Sequence, residues 1–567
     1  MNAPSPALVA RPDRLRLVGQ RRQVLAMMHQ RLMIGMLVYA GVIAIIALRI
    51  LYLAAFGDHA GAKMALTHNI PERGDIVDRD GVALARTIDA WTIALHPQKV
   101  LGNKLELARK LAAIMPERDA STYYKMLTSD RTFFYLRRRA APDVVEAINA
   151  LGEPGLGLDR EPDRLYPQTS LAAHVLGYTD VDGKGMAGIE RAFEDHLSDP
   201  ARRGEPVTLS ISSRIQQALE HELLDAKQRF SAIGAAGVIM DIHTGEVLAM
   251  TSLPQLNPNI AGQGTPEARF NRATLGVYEL GSTFKAFTVA MGLDSGVVKS
   301  VGQMYPCPDA LHVSGRTITD THPFGRPCSV AEIMQESSNI GTAQIADQIG
   351  AARQKEFLKK LGFFDPVALE LKERGRTLSP RDWSRTDVMT VGYGHSIAIT
   401  PVHLAMGYAA LMNGGILRPA TLLKVGPGHA VAKGHRVFTE ETSYKMRSLL
   451  RLVVTEGTGR KADAPGYRVG GKTGTAEKAT GGGYSSSLVV TNFAGVFPVD
   501  EPRYVIVVML DQPQATADTY GFRTAGWNVA PVVSKTISRI APMLGVRPDK
   551  KRDANMAEVL PYVREKE

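Results

Sequence analysis

Seventeen uncharged, mostly apolar positions run unbroken over residues 32–48, and after Arg49 the apolar texture resumes over 50–56. At about 1.5 Å per helical residue the first run covers roughly 25 Å and all 25 positions roughly 37 Å, against a hydrocarbon core of about 30 Å. The pattern predicts one membrane-spanning helix over 32–56, with Arg49 near an edge where its long side chain reaches the headgroups. Core helices seldom supply so long an uncharged run. A signal peptide has a shorter apolar region and then a small-residue cleavage site, which Ala54-Ala55-Phe56-Gly57 serves poorly. No second stretch approaches 18 apolar residues, so the reading is a single-pass protein with a large body after residue 56.

That body changes texture near residue 230. Over 57–205 short apolar runs alternate with charged turns. There, 73–81 reads as a strand and turn, and 185–190 as local turn chemistry. Beyond 230, residues 237–242 and 246–250 around His243-Thr244-Gly245 read as a β-hairpin, and 488–497 with 504–510 as another. Helical stretches fall between them, at 284–293, 330–349, 401–411 and 441–455. Strands at both sequence ends with helices between predict one α/β or α+β domain over 230–543 whose sheet pairs its own termini. Residues 544–567, with the charged run 547–552, read as a flexible tail.

Composition is globular, at 44% hydrophobic and 22% charged residues. The 67 Lys+Arg against 57 Asp+Glu give a net charge of +10, which by itself suggests nucleic acid, an anionic membrane or acidic wall polymers. Position alters that picture. Arg11, Arg14, Arg16, Arg21, Arg22 and Arg31 against Asp13 place +5 of the +10 before the apolar run. The positive-inside rule then holds the 1–31 tail in the cytoplasm and exports the body. Nucleic-acid binding has no motif behind it. The two cysteines, Cys307 and Cys328, exclude a disulfide scaffold and a four-thiolate zinc module. In an oxidising exported compartment they are expected to pair, closing a loop.

Three short motifs carry chemistry: Ser282-Thr283-Phe284-Lys285, Ser337-Ser338-Asn339 and Lys472-Thr473-Gly474-Thr475. A serine hydroxyl is a weak nucleophile that needs a neighbouring base. Three residues along a helix puts Lys285 one turn from Ser282, on the same face. A lysine accepts a proton at neutral pH only if its pKa falls far below the ordinary value, which burial beside a second cation such as Lys472 achieves. Ser337 can relay a proton, and the Asn339 carboxamide can hold an acyl-chain amide. Lys472, Thr473 and Thr475 offer one cation and two hydroxyls to a carboxylate, while Gly470, Gly471 and Gly474 let a ligand approach the backbone. Each motif alone is common. All three in order, about 52 and 133 residues apart, are specific for active-site-serine acyl enzymes of the penicillin-recognising type.

With these motifs the chain resembles the class B penicillin-binding proteins along nearly its whole length. Arg73-Gly74 through Gly81, Arg164-Leu165-Tyr166-Pro167, Ala173 through Tyr178 and Gly188-Ile189-Glu190 match, as do Gly392-Tyr393-Gly394 and Gly457-Thr458-Gly459. The resemblance implies an α+β architecture: a single N-terminal transmembrane helix, an elongated pedestal of dimerisation type over 57–205, and a transpeptidase domain over 230–543 with a central antiparallel sheet flanked by helices. It implies a D,D-transpeptidase that cross-links peptidoglycan stem peptides through a Ser282 acyl-enzyme and is acylated by β-lactams. In that scheme Lys285 is the base, Ser337 the relay and Asn339 the donor-positioning group. Lys472, Thr473, Gly474 and Thr475 bind the terminal carboxylate, and the Ser282 and Thr475 N–H groups form an oxyanion hole. No cofactor and no metal are implied. A diamino-acid acceptor and a separate glycan polymerase of the SEDS type are, together with other divisome membrane proteins. Ser337-Ser338-Asn339 resembles the division-specific branch, which implies an inner-membrane protein of the septum with a periplasmic catalytic domain. Ser212 departs from the aspartate the family often carries before Arg214-Ile215-Gln216.

Competing readings are an elongation-type transpeptidase, a β-lactamase or β-lactam sensor, and an inactive scaffold. A class A β-lactamase needs a second carboxylate for deacylation, and no Glu-x-x-Leu-Asn stands between Asn339 and Lys472. Intact Ser282, Lys285 and Lys472 argue against a decayed site.

Overall fold

The computed structural model describes residues 30–49, 72–480 and 483–564. Two compact units divide the chain, 1–69 and 70–567. In the first, helix α1 (Gln30–Arg49) is long and apolar enough to cross a membrane, and its side chains are exposed throughout. The basic segment before it and positions 50–56 of the expected span lie outside the described residues.

The second unit begins with a mixed sheet. Strand β1 (Ile76–Val77) pairs antiparallel with the long β2 (Ala83–Leu95), which also pairs with β3 (Phe134–Ala140) and β4 (Leu156–Leu165). Helices α2 (Lys104–Ile114), α3 (Ala120–Leu127) and α4 (Pro142–Asn149) pack on its outer end around Leu107, Leu111, Tyr123 and Leu136, a core of their own. The inner end shares one continuous core with the larger domain, through Ile76, Leu84, Tyr166, Val175 and Ile189. Strand β5 (Val207–Thr208) closes this sheet parallel to β1 and leads into α5 (Ser213–Arg229).

Residues 185–190 are more than a turn. Glu190 is fully buried between Arg73 and Arg164, at 3.0 and 2.7 Å, and Glu194 joins Arg73 at 3.0 Å. Three of the small family-like motifs therefore meet in one ion cluster. Asp78 resolves the Ser212 departure. Ser212 lends no side-chain cap to α5, whereas the Asp78 carboxylate accepts from the Ser213 N–H and hydroxyl at 3.1 and 2.6 Å.

The large domain holds a five-stranded sheet whose strands lie in the spatial order 470–480, 483–497, 504–511, 234–241 and 247–253, all neighbours antiparallel. Strands β6 (Gly234–Asp241) and β7 (Val247–Leu253) form the early hairpin. Strands β10 (Gly470–Thr480), β11 (Gly483–Phe497) and β12 (Tyr504–Asp511) arrive last, and β12 pairs with β6, so the sheet does join its sequence ends. Alternate residues feed opposite faces. Val505, Val507 and Met509 join the core that holds Phe287, Leu404 and Leu449. Ile506, Val508 and Leu510 join a second core under α5 and the C-terminal helix Val529–Ile540.

Between the two sets of strands lie α6 (Lys285–Asp294), the hairpin β8 (Ala310–Val313) and β9 (Arg316–Thr319), α7 (Val330–Gln335), α8 (Asn339–Lys360), α9 (Pro401–Met412) and α10 (Glu440–Thr455); Val529–Ile540 is α11. The helix expected over 330–349 is therefore two, broken at the second motif. Cys307 and Cys328 form a disulfide, and the loop they close contains the β8–β9 hairpin. The expected flexible tail is corrected for 545–564. Asp553 pairs with Arg451 at 2.7 Å, Ser448 donates to the Asn555 carbonyl, Ser329 donates to the Tyr562 carbonyl, and Val559 is buried. Within the charged run, Arg552 pairs with Asp500 at 2.9 Å, while Arg547, Lys550 and Lys551 remain exposed.

Candidate active site

Gly281–Phe284 form a tight helical turn that runs directly into α6, so Ser282 stands partly exposed at the head of a buried helix. Glycine is required beside it. Gly281 has φ +56, and a Cβ there would lie 2.8 Å from the Thr475 carbonyl oxygen. The turn is tied to β10 by buried Asn492, whose amide donates to the Leu280 carbonyl at 3.0 Å and the Gly474 carbonyl at 3.4 Å. On the other side the Tyr408 hydroxyl donates to the Thr283 carbonyl at 2.8 Å, and the Gly281 N–H donates to the Gly394 carbonyl.

Lys285 is 0% exposed, and its ammonium nitrogen contacts the Ser337 carbonyl and, at 3.1 Å, Ser337 Oγ. Lys472 is also 0% exposed and reaches the same Oγ at 2.9 Å, with a second bond to the Thr473 carbonyl at 3.1 Å. Burial, then the Lys472 charge, drives the Lys285 amine well below the ordinary lysine range, while Asp320 opposes the shift. Burial lowers Lys472 to about 7, with Glu336 opposing. One turn thus holds a hydroxyl between two buried amines whose proton affinities are both lowered by burial.

Ser337 itself has φ +64, in the left-handed region. Ser338 caps α8 by accepting from the Gly341 N–H at 2.9 Å. The Asn339 amide donates to the Thr319 carbonyl at 2.8 Å. Along β10, the Thr473 hydroxyl shares a hydrogen bond of 2.7 Å with Thr458, and the Thr475 hydroxyl accepts from the Ala525 N–H at 3.1 Å. Thr475 is partly exposed, whereas Thr473 is buried beside Thr458. Farther along the strand a cavity of about 430 Å³ opens between Tyr278, Glu279, Ser396, Ala398 and Lys478. Glu279 there accepts from the Ser396 N–H at 2.9 Å and the Tyr484 hydroxyl at 3.0 Å.

Of the sequence-predicted residues, Lys285, Ser337 and Lys472 meet directly, Ser282 stands at the head of the Lys285 helix, Asn339 opens α8, and Thr473, Gly474 and Thr475 follow Lys472 along β10. Sequence reading missed Asn492, Asp320, Glu336 and the Thr458–Thr473 pair. Only Thr458 carried a signal, inside Gly457-Thr458-Gly459; the others are single polar residues whose role depends on what folds against them.

Residues 235–534 match the penicillin-binding protein transpeptidase domain, and residues 68–202 the penicillin-binding protein dimerisation domain. The chain is 41% identical over 485 residues to a probable peptidoglycan D,D-transpeptidase FtsI of Caulobacter vibrioides, covering 84% of this chain and 82% of that one. It is 31% identical to the peptidoglycan D,D-transpeptidase FtsI of Escherichia coli K12, covering 84% of each. Among solved structures, penicillin-binding protein 3 of Mycobacterium tuberculosis complexed with aztreonam is similar, with a TM-score of 0.67 and 26% identity over 84% of this chain and 97% of that one.

Proposed function

The chain belongs to the penicillin-binding protein transpeptidase family, and we propose that it is a division-type peptidoglycan D,D-transpeptidase that works through Ser282. What supports Ser282 is the shared Ser337 hydroxyl, on which Lys472 converges with Lys285, the lysine three residues on from Ser282 at the start of the same helix.

In the proposed reaction a stem peptide lies along β10 with its terminal carboxylate on Thr473 and Thr475, in the field of Lys472. Neutral Lys285 takes the Ser282 proton as Oγ attacks the carbonyl between the two terminal D-alanines. The Ser282 and Thr475 N–H groups face the developing oxyanion. Ser337, hydrogen-bonded to both lysines, passes the proton to the departing D-alanine nitrogen, and Asn339 steadies the donor amide. The resulting ester is then attacked by the side-chain amine of a neighbouring stem. β-Lactams enter as donor mimics, in keeping with the aztreonam complex of the similar protein.

Residues 57–205 act as the pedestal, 230–543 as the transpeptidase domain, and α1 as an anchor with a cytoplasmic N-terminus. The glycan strands come from a separate membrane polymerase at the septum. Ser282→Ala should abolish covalent labelling by a tagged penicillin while leaving the thermal melt unchanged. Stoichiometric labelling of that variant rejects the nucleophile. A fluorescent fusion spread along the sidewall rejects the division role.

A further inference from the structure

Between α7 and α8 the chain must make an unfavourable turn. Ser337 sits at φ +64, and the first N–H groups of α8 have no partner within the helix. Ser338 satisfies only one of them, at Gly341. The rest of the turn is held from outside. Asp320 Oδ2 accepts from the Ser338 hydroxyl at 2.6 Å, while its Oδ1 accepts from the Asn339 N–H and, at 3.1 Å, from the Ile340 N–H. The preceding carbonyl, Thr319, takes the Asn339 side chain. Two consecutive residues at the end of β9 therefore grip two of the three residues of the second motif. They are presented by a segment whose ends are closed by the buried Cys307–Cys328 disulfide.

We infer that Asp320 is a positioning residue for acylation: it locks the Ser337–Asn339 turn so that Ser337 Oγ stays between the two lysines. The inference rests on the reading that Ser282 is the nucleophile and Lys285 its base. A turn with a left-handed serine would otherwise relax, and a displacement of about 1 Å at a proton relay costs on the order of 100-fold in rate. The charges around Lys285 are few. Lys472 faces it from β10 and lowers its proton affinity, Asp320 faces it from the β9 end and raises it, and Glu336 acts on Lys472 from the C-terminus of α7.

The test uses the whole protein and the pH-dependent acylation rate with a tagged penicillin. Asp320→Ala should slow acylation on the order of 100-fold while non-covalent penicillin affinity changes less than about threefold. Asp320→Asn keeps one acceptor oxygen for the Asn339 and Ile340 N–H groups but removes the charge. Lys285 then loses its proton more readily, so the acid limb of the rate profile should move to lower pH by about half a unit or more. A purely structural aspartate leaves that limb in place. Acylation of Asp320→Ala within twofold of wild type overturns the inference, as does an unmoved limb in Asp320→Asn. Should Asp320→Ala fail to fold, the Asn variant decides alone. Labelling of Ser282→Ala in the same assay would instead reject the nucleophile assignment beneath it.

Discussion

Lys285 and Lys472 point their amine nitrogens at one atom, Ser337 Oγ, from 3.1 and 2.9 Å. Neither side chain has any exposed surface, so two full ammonium charges there would be paid for in both desolvation and repulsion. Burial therefore lowers the proton affinity of both amines, and the Lys472 charge lowers Lys285 further.

Removing the Lys472 charge should raise the proton affinity of Lys285. Lys472→Met is expected to move the acid limb of the acylation profile to higher pH, opposite to Asp320→Asn, and to slow acylation on the order of 100-fold. Rate measurements from pH 5 to 9 with tagged penicillin check it; an acid limb that stays put would contradict the coupling.

The same lysine should mark the stability profile. Its folded pKa of about 7 lies below the unfolded value of 10.5, so between them the unfolded state binds more protons and stability rises with pH. The burden is full below about pH 7 and gone above about 10.5. Lys472→Met should flatten the rise between pH 7 and 10 and raise stability at pH 7 by a few kcal/mol, roughly one for each pKa unit recovered. Denaturant titrations at several pH values measure this.

Cutting the disulfide by Cys307→Ser with Cys328→Ser should cost about 3 kcal/mol, from the loop-closure entropy of a segment of this length. Because the loop carries Asp320 and Thr319, acylation should slow as well. Urea unfolding and acylation rates of the double variant are the measurements, and unchanged acylation would separate the loop from the site.

Gly394 has φ +86, and a Cβ there would stand 2.1 Å from the Gly281 carbonyl oxygen. Gly394→Ala must push the Gly281–Ser282 turn aside. Acylation is expected to fall at least 10-fold with far-UV circular dichroism unchanged.

Glu190→Ala leaves two buried arginines, Arg73 and Arg164, without their shared carboxylate. The cost should be on the order of 3–5 kcal/mol, local to the β1–β4 sheet. Hydrogen exchange should rise in β2 and β4 while protection in α6 persists; uniform loss across both would show that the two parts unfold together.

The sequence by itself determined the apolar helix, the sheet that joins its own ends, and the three motifs. Each rests on periodicity or on fixed local spacing, which a linear string carries. Ser282 and Lys285 share a helix face because three residues make nearly one turn. Tertiary structure decided the rest. Nothing local announces that Asp320, 17 residues before Ser337, would cap that turn, because its partners exist only once the β8–β9 hairpin folds against α8. The break between α7 and α8 was hidden likewise. Residues 330–349 suit a single helix, and only the lysines and the Asp320 carboxylate make a left-handed Ser337 worth its strain. The charged C-terminal segment looked solvated for the same reason: a string shows Asp553 as a charge, and only the fold brings Arg451 to it.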